Sequence, residues 1–410
     1  MPSLSPPAAS VPPRHVSHAL AALALALLLG LQPVSTDVYL PALPMLTRAL
    51  GAPMTAVQLT MSALILAFGV GQLFWGPVAD RVGRRPVLLW GLALYTLASA
   101  ACVVAGSIET LIVARALQGA CLAAAVVVAR AILRDLYEPH EGARVMSLAL
   151  SGLAVIAIAG PALGGLLAAT LGWRATLALV AGCGAATLAF VALRLPETLL
   201  HKNPRATVPG PLLAAWSQIG RHPVFLAWTL LTACTYGGLF VILSGSSFVY
   251  MDMLGLSAAA YGAAMASGSV AYLAGTFVCR RWIPRHGMAG TVARGGRFSL
   301  AAAALIVGLA LAGVHSVWAV LVPQWLFCFG HGLHQPCGQA GAVGPFPRNA
   351  GAASALAGCL LSLVAFGIGQ WLGRVLSDQV LPYALGVGVW GLLTATVAWT
   401  LVRRLPVPQR

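Results

Sequence analysis

Gly76-Pro77-Val78-Ala79-Asp80-Arg81-Val82-Gly83-Arg84-Arg85-Pro86 is a short charged turn set between two long apolar runs. Each residue type in it has a physical use. Gly76 carries no Cβ and lets two helices approach closely at one membrane face. Asp80 can accept hydrogen bonds from a neighbouring helix N-terminus or from an arginine. Arg81, Arg84 and Arg85 keep the turn on one side of a membrane. A generic basic loop would supply three arginines without the order Gly-x3-Asp-Arg-x-Gly-Arg-Arg. Such a turn can latch two helix bundles in one conformation and release them in another.

The flanking runs are part of a pattern that fills the chain. Of 410 residues, 59% are hydrophobic and 8% charged, with a mean hydropathy of +0.88. A soluble domain carries roughly 25% charged residues. This chain has too few to cover a soluble surface, which excludes soluble enzymes. A spanning helix needs about 20 apolar residues. Twelve candidates fall at about 18–40, 56–79, 86–106, 108–130, 144–170, 174–194, 223–245, 257–279, 297–314, 316–338, 350–376 and 381–402. The runs are continuously apolar, whereas a membrane strand alternates over about ten residues. The expected class is an all-α polytopic membrane protein.

The net charge of +15 arises from 24 Lys+Arg against 9 Asp+Glu. With both termini on the inner side, 20 of the 24 basic residues fall in inner segments, 3 in outer segments, and Arg115 inside a span. That split is a positive-inside signature. The basic excess is therefore an orientation device, and no nucleic-acid partner is expected. Residues 1–17 read as a disordered cytoplasmic tail with five prolines and without the features of a cleaved signal peptide. Residues 18–194 form the N-terminal six-helix bundle and 223–402 the C-terminal one, with 403–410 a second cytoplasmic tail. The Pro-rich stretch 195–222 is the cytoplasmic linker. Within it Leu212, Leu213, Trp216 and Ile219 share one helical face, suited to the membrane surface or to packing. The eight cysteines are scattered through apolar spans without a Cys-x-x-Cys pair and read as small buried hydrophobes.

The turn at Gly76–Arg85 resembles the signature loop of the major facilitator superfamily, and twelve spans with a central linker agree. The resemblance covers about residues 18–404. It implies two six-helix bundles, each an inverted pair of three-helix repeats, working by alternating access. Gly275, Arg280, Arg281 and Arg285 before Gly287 are compatible with a second, degenerate copy of the turn that lacks the acid. In the fifth span, Gly152, Gly160, Pro161, Gly164 and Gly165 look like the family's antiporter motif, which implies export; close packing alone is the other reading. In the fourth span, Arg115 with Gln118 and Gly119 resembles an arginine tied to proton coupling. An intramembrane arginine costs about 2.5–3.5 kcal/mol on insertion scales, so it needs a partner or an aqueous cavity. It can equally be a structural hydrogen-bond hub.

The first span ends Gln32-Pro33-Val34-Ser35-Thr36-Asp37-Val38-Tyr39-Leu40-Pro41-Ala42-Leu43-Pro44. This is similar to a segment of the Bcr/CflA drug-resistance subfamily of drug:proton antiporters. Arg130-Ala131-Ile132-Leu133-Arg134-Asp135-Leu136-Tyr137, Gly172-Trp173-Arg174 and Pro196-Glu197-Thr198 extend the likeness. Counting 1.5 Å per residue, Asp37 and Arg115 lie about 6 and 10 Å below the outer ends of their helices, so a pair facing one cavity is feasible. Asp37 can also be an interfacial acid. Leu29 stands where some multidrug relatives carry a second, deeper acid, which argues against cationic drugs and a two-proton stoichiometry.

The tenth span carries His331, His334, Gln335 and Gln339 as one polar stripe. They can line the cavity, form an interhelix network, carry a proton or bind a metal. His-x-x-His without acidic or cysteine companions is a weak metal signal, and no metal site is expected. Cavity candidates are these four with Gln32, Tyr39 and Gln118. There is no phosphate-binding Gly-x4-Gly-Lys-Ser/Thr loop, so neither ATP nor another cofactor is expected.

The reading is an inner-membrane, multi-pass, proton-coupled multidrug exporter and not an enzyme. Asp37 and Arg115 couple protons, and the Gly76–Arg85 turn is the latch. The partners expected are amphipathic small-molecule drugs, protons and the lipid bilayer, with the chain a monomer. The competing reading is a carrier of a small metabolite such as an amino acid.

Overall fold

The computed structural model describes residues 17–376 and 379–405. The expected tail therefore lies outside the described residues up to position 16, and the second tail from 406 onward. Among the described residues there is helix but no strand.

The first bundle contains α1 (His18–Asp37), the short α2 (Leu43–Ala49), α3 (Met54–Val82), α4 (Arg84–Val104), α5 (Ile108–Leu136), α6 (Pro139–Leu171) and α7 (Trp173–Arg194). The linker forms α8 (Pro209–Gly220). The second bundle contains α9 (Pro223–Ser247), α10 (Ala258–Leu311), α11 (Val317–Val343), α12 (Ala350–Val375) and α13 (Leu381–Val397). Ten of these segments are long and apolar enough to cross a membrane. Two refinements bring the crossings to twelve. The eighth and ninth expected spans are one 54-residue helix that turns back at Gly287, whose φ of 66° is open to glycine. The tenth, α11, has the length but falls short in apolarity, because it carries Gln324, His331, His334, Gln335 and Gln339.

The start of α1 at His18 and the last described residue, Leu405, lie on one face with the α3–α4 turn, the linker, the Gly287 turn and the α11–α12 connection. The α1–α3 and α9–α10 connections, with the end of α12 and the start of α13, lie on the opposite, far face. Between bundles, α3 packs along α12 and α6 along α10. Small residues set these crossings. Gly165 lies against the backbone of Ala258 and Gly262, and Gly262 against the carbonyl of Pro161, so a Cβ at either would strike main chain. Two segments of the expected antiporter motif, Pro161 and Gly164–Gly165, thus sit where α6 meets α10 and the end of α1. An exposed ion pair, Arg48 to Asp252 at 3.0 Å, also joins the bundles at the far face.

The linker belongs to both bundles. Asn203 N donates to the carbonyl of Asp80, and Arg81 donates to Thr207 Oγ1, tying the linker to the α3–α4 turn. At its other end Ile219 is buried in the second bundle's core with Phe225 and Trp228, beside Leu356 of α12. Leu213 stays exposed.

Candidate functional site

Between the bundles, on the chain-end side of the midplane, lies a cavity of about 110 Å³. Its walls come from α1 (Gln32), α3 (Phe68, Gln72), α5 (Arg130), α9 (Thr232, Tyr236), α11 (Gln335, Gln339) and α12 (Ser354, Leu361, Ser362). At 1.5 Å per residue, Arg130 and Gln335 lie about 9 and 12 Å from the chain-end ends of α5 and α11, so they share a level. Arg130 Nη1 donates to Ser354 Oγ at 2.8 Å, the hydrogen bond that joins α5 to α12 at this level. None of the lining residues is acidic.

The polar stripe on α11 divides. Gln335 and Gln339, one turn apart, face the cavity. His334 is rotated about 100° from Gln335 and points into the second bundle. Its Nε2 donates to the carbonyl of Val292 at 3.1 Å, which fixes the hydrogen on that nitrogen. His331 Nδ1 meets Thr235 Oγ1 at 2.9 Å, and its ring lies 5.4 Å from that of Tyr272. Both histidines are buried between α9, α10 and α11, away from the cavity wall.

Tyr39 and Gln118 lie inside the first bundle, where they build a hub around Arg115. The guanidinium is fully buried and donates to Gln118 Oε1 at 2.7 Å and to the carbonyl of Ser35 at 3.0 Å. It stacks 4.2 Å over the Tyr39 ring. Gln118 Nε2 in turn donates to Ser99, and Ser35 Oγ meets Tyr95 at 2.6 Å. Local geometry explains the Ser35 contact. At the end of α1 the Tyr39 N–H bonds back only three residues, to Thr36 O. The helix tightens there, and Ser35 O is left for Arg115.

Arg115 and Asp37 are not an ion pair; among the described residues the carboxylate accepts from Thr36 Oγ1 at 2.7 Å. Asp37 lies on the other side of α1, beside Gly160 of α6 and within electrostatic reach of the Tyr236 and Tyr261 hydroxyls of the second bundle. Depth alone made the pair feasible; the helical rotation between Ser35 and Asp37 separates it.

The α3–α4 turn holds a denser network. Arg84 is almost wholly buried and reaches Asp80 at 2.6 Å and Asp135 at 2.8 Å. Glu197, from the start of the linker, accepts from the backbone N–H groups of Arg84 and Arg85 and so caps α4. Gly83 makes the turn at a φ of 124°, with Glu197 occupying the place a Cβ would take. Arg85 donates to the carbonyls of Leu195 and Ala192 at the end of α7. Gly76 faces Val127 of α5. In this conformation the turn engages its own bundle and the linker.

Arg130, Gln72 and Tyr236 escape the sequence reading. With the fourth span ending at about 130, Arg130 counts among the inner-side basic residues at the close of that helix; α5 continues to Leu136 and carries it inside. The Arg-x3-Arg-Asp spacing following the span, with no Gly or Pro before Pro139, was the available signal for a longer helix.

Comparison with known proteins agrees with this architecture. The family model of the Major Facilitator Superfamily matches residues 25–370. The chain is 33% identical over 386 residues to "Multidrug resistance protein D" of Escherichia coli (strain K12), covering 93% of each. It is 32% identical over 367 residues to "Chloramphenicol resistance protein" of Pseudomonas aeruginosa, covering 88% of this chain and 84% of that one. Among solved structures, a D-xylose-proton symporter superposes with a TM-score of 0.76 at 16% identity, covering 94% of this chain and 98% of that one.

Proposed function

This chain belongs to the major facilitator superfamily, and on that premise we propose that it exports amphipathic small-molecule drugs across the bacterial inner membrane in exchange for protons. The observation that carries the reading is the cavity: a polar chamber between two bundles whose far face is closed by α6 on α10 and by Arg48–Asp252. That is the arrangement alternating access requires on one side of its cycle. With the chain ends and the arginine-rich turns cytoplasmic, the cavity is on the loading side. The relatives' drug-resistance names support the substrate class and the direction.

In the proposed cycle a drug enters from the cytoplasm between Phe68, Gln72, Gln335 and Gln339. The bundles then rock about the α3–α12 and α6–α10 seams, the α3–α4 turn exchanges its linker contacts for contacts across the bundles, and the far face opens. Asp37 takes up a proton from outside as the drug leaves and gives it up inside after the return. Arg115 acts as a positioning residue. It grips the Ser35 carbonyl two residues before Asp37 and so fixes the direction in which the carboxylate points. The working unit in this reading is the monomer, in which one polypeptide supplies both bundles and the cavity between them.

Asp37→Asn and Arg115→Ala should each abolish drug-driven proton release from purified protein while leaving its size-exclusion profile intact. Full proton-coupled transport by either variant refutes these roles. Susceptibility of an efflux-deficient host to a drug panel, with and without the chain, tests export itself.

A further inference from the structure

We propose that the cavity selects amphipathic organic anions, with Arg130 as the residue that reads the negative group; this rests on the export reading above. Arg130 lines the cavity and uses one guanidinium nitrogen on the neutral hydroxyl of Ser354. Among the described residues no carboxylate lies within ion-pair distance of it. A guanidinium is charged at every physiological pH and carries five N–H donors in a planar fork. Among the described residues its one hydrogen bond is that to Ser354, which leaves four donors free for a ligand at a level about 9 Å inside the end of α5.

A charge held within a membrane-embedded chamber acts over a short path with little screening. It attracts an anion and repels a cation, and no acidic lining residue offsets it. Asp37, the acid assigned to proton coupling, belongs to the far end of α1, and the nearer Asp135 is held by Arg84. Arg130 lies about 19 Å from Asp37 along the membrane normal when each is counted from the chain-end end of its own helix. A small drug bound at Arg130 does not reach Asp37, so the two charges serve different steps.

A second, independent observation concerns the same level. Gln335 Oε1 is buried and accepts no hydrogen bond among the described residues. An orphaned acceptor costs free energy that a ligand donor recovers. Phe68 and Leu361 supply an apolar wall. The lining thus matches a compound with a carboxylate or sulfonate toward Arg130, an O–H or N–H toward Gln335, and an apolar body between, which the chamber admits by widening from its present 110 Å³ toward the roughly 300 Å³ or more of ligand pockets.

Proteoliposomes holding the full chain under an imposed proton gradient provide the test, with three probes. They are nalidixate as an amphipathic carboxylate, chloramphenicol as a neutral compound, and tetraphenylphosphonium as a lipophilic cation. Wild type should carry nalidixate and chloramphenicol and leave the cation behind. Arg130→Gln should lower the nalidixate-to-chloramphenicol ratio of kcat/KM by roughly tenfold or more, the size of a lost charge-assisted hydrogen bond. Arg130→Lys, which keeps the charge, should restore most of that ratio. An unchanged ratio in Arg130→Gln, or wild type favouring the cation, overturns the inference and leaves export standing. If Arg130→Gln fails to insert, the wild-type ranking of the three probes decides alone. Transport of none of the three by wild type overturns the export reading, and this inference with it.

Discussion

The two bundles solve the same corner differently. In the first, Gly76 is followed four residues later by Asp80 and then Arg81; in the second, Gly275 is followed four residues later by Cys279 and then Arg280. Asp80 is half-exposed and shares Arg84 with Asp135 at the end of α5. Cys279 is buried, donates toward the carbonyl of Leu333, and lies 3.6 Å from the thiol of Cys337 on α11. One corner joins its helices through charge and hydrogen bonds, the other through apolar sulfur and close glycine packing at Gly275 and Gly332. The acids follow the same division. Asp80, Asp135, Glu138, Glu141 and Glu197 all lie at the chain-end face of the first bundle, and the corresponding face of the second has none. An ionic corner can exchange partners as the bundles rock, because each charge keeps its worth at a new site. A packed corner has no such alternative. The difference suggests that the first corner does the switching and the second serves as a fixed frame.

The most damaging way to test this is to give the second corner the residue of the first. Cys279→Asp would place a carboxylate whose hydrogen-bonding neighbours are a thiol and a carbonyl oxygen, with the nearby Arg280 guanidinium lying over the Phe277 ring. A buried, unpaired charge costs about 3–5 kcal/mol. The variant should accumulate poorly or unfold well below wild type in detergent, followed by intrinsic tryptophan fluorescence. Normal stability would mean that a basic side chain such as Arg280 can turn inward, and the corners would then be alike.

The next largest effect belongs to Arg84→Ala. It strands two carboxylates, Asp80 and Asp135, that share one buried guanidinium. Asp80 is 49% exposed and is partly rescued by water, so the expected loss is about 2–3 kcal/mol rather than the full cost of a buried pair. Thermal unfolding of the purified protein measures it. Export should fall as well if the turn switches, whereas a purely structural corner would lower stability and leave the turnover of the surviving folded protein unchanged.

This asymmetry was partly legible in the sequence. The ordered Gly, Asp and Arg residues of the first turn and the missing acid of the second can be read from spacing, as can twelve apolar runs. Direction is what spacing does not carry. His331, His334, Gln335 and Gln339 form one stripe on paper, yet the stripe is wide enough to straddle the boundary between the cavity and the bundle core. The glutamines fall on one side and the histidines on the other. Asp37 and Arg115 match in depth and differ in azimuth. Arg130 was hidden by a helix end, since apolarity stops at position 130 while α5 runs to Leu136. Hydropathy marks where lipid contact ends, and a helix that continues into the protein interior outlasts that signal.

The smallest expected effect tests the frame side of the comparison. Arg285 is exposed near the Gly287 turn and makes no ion pair among the described residues. Surface substitutions away from caps, cores and networks usually shift stability by no more than about 0.5 kcal/mol. Arg285→Ala should therefore leave thermal unfolding within that range of wild type and leave drug-driven proton release unchanged. Its counterpart in charge at the other corner, Arg84, should fail both tests. Suppose Arg285→Ala instead lowered export while stability held. The second corner would then take part in the conformational exchange through its basic surface, and the assignment of switching to the first corner alone would be lost. Equal, small effects at Arg84 and Arg285 would point the other way, to a first-bundle network that orients the turn without bearing on the transition between states.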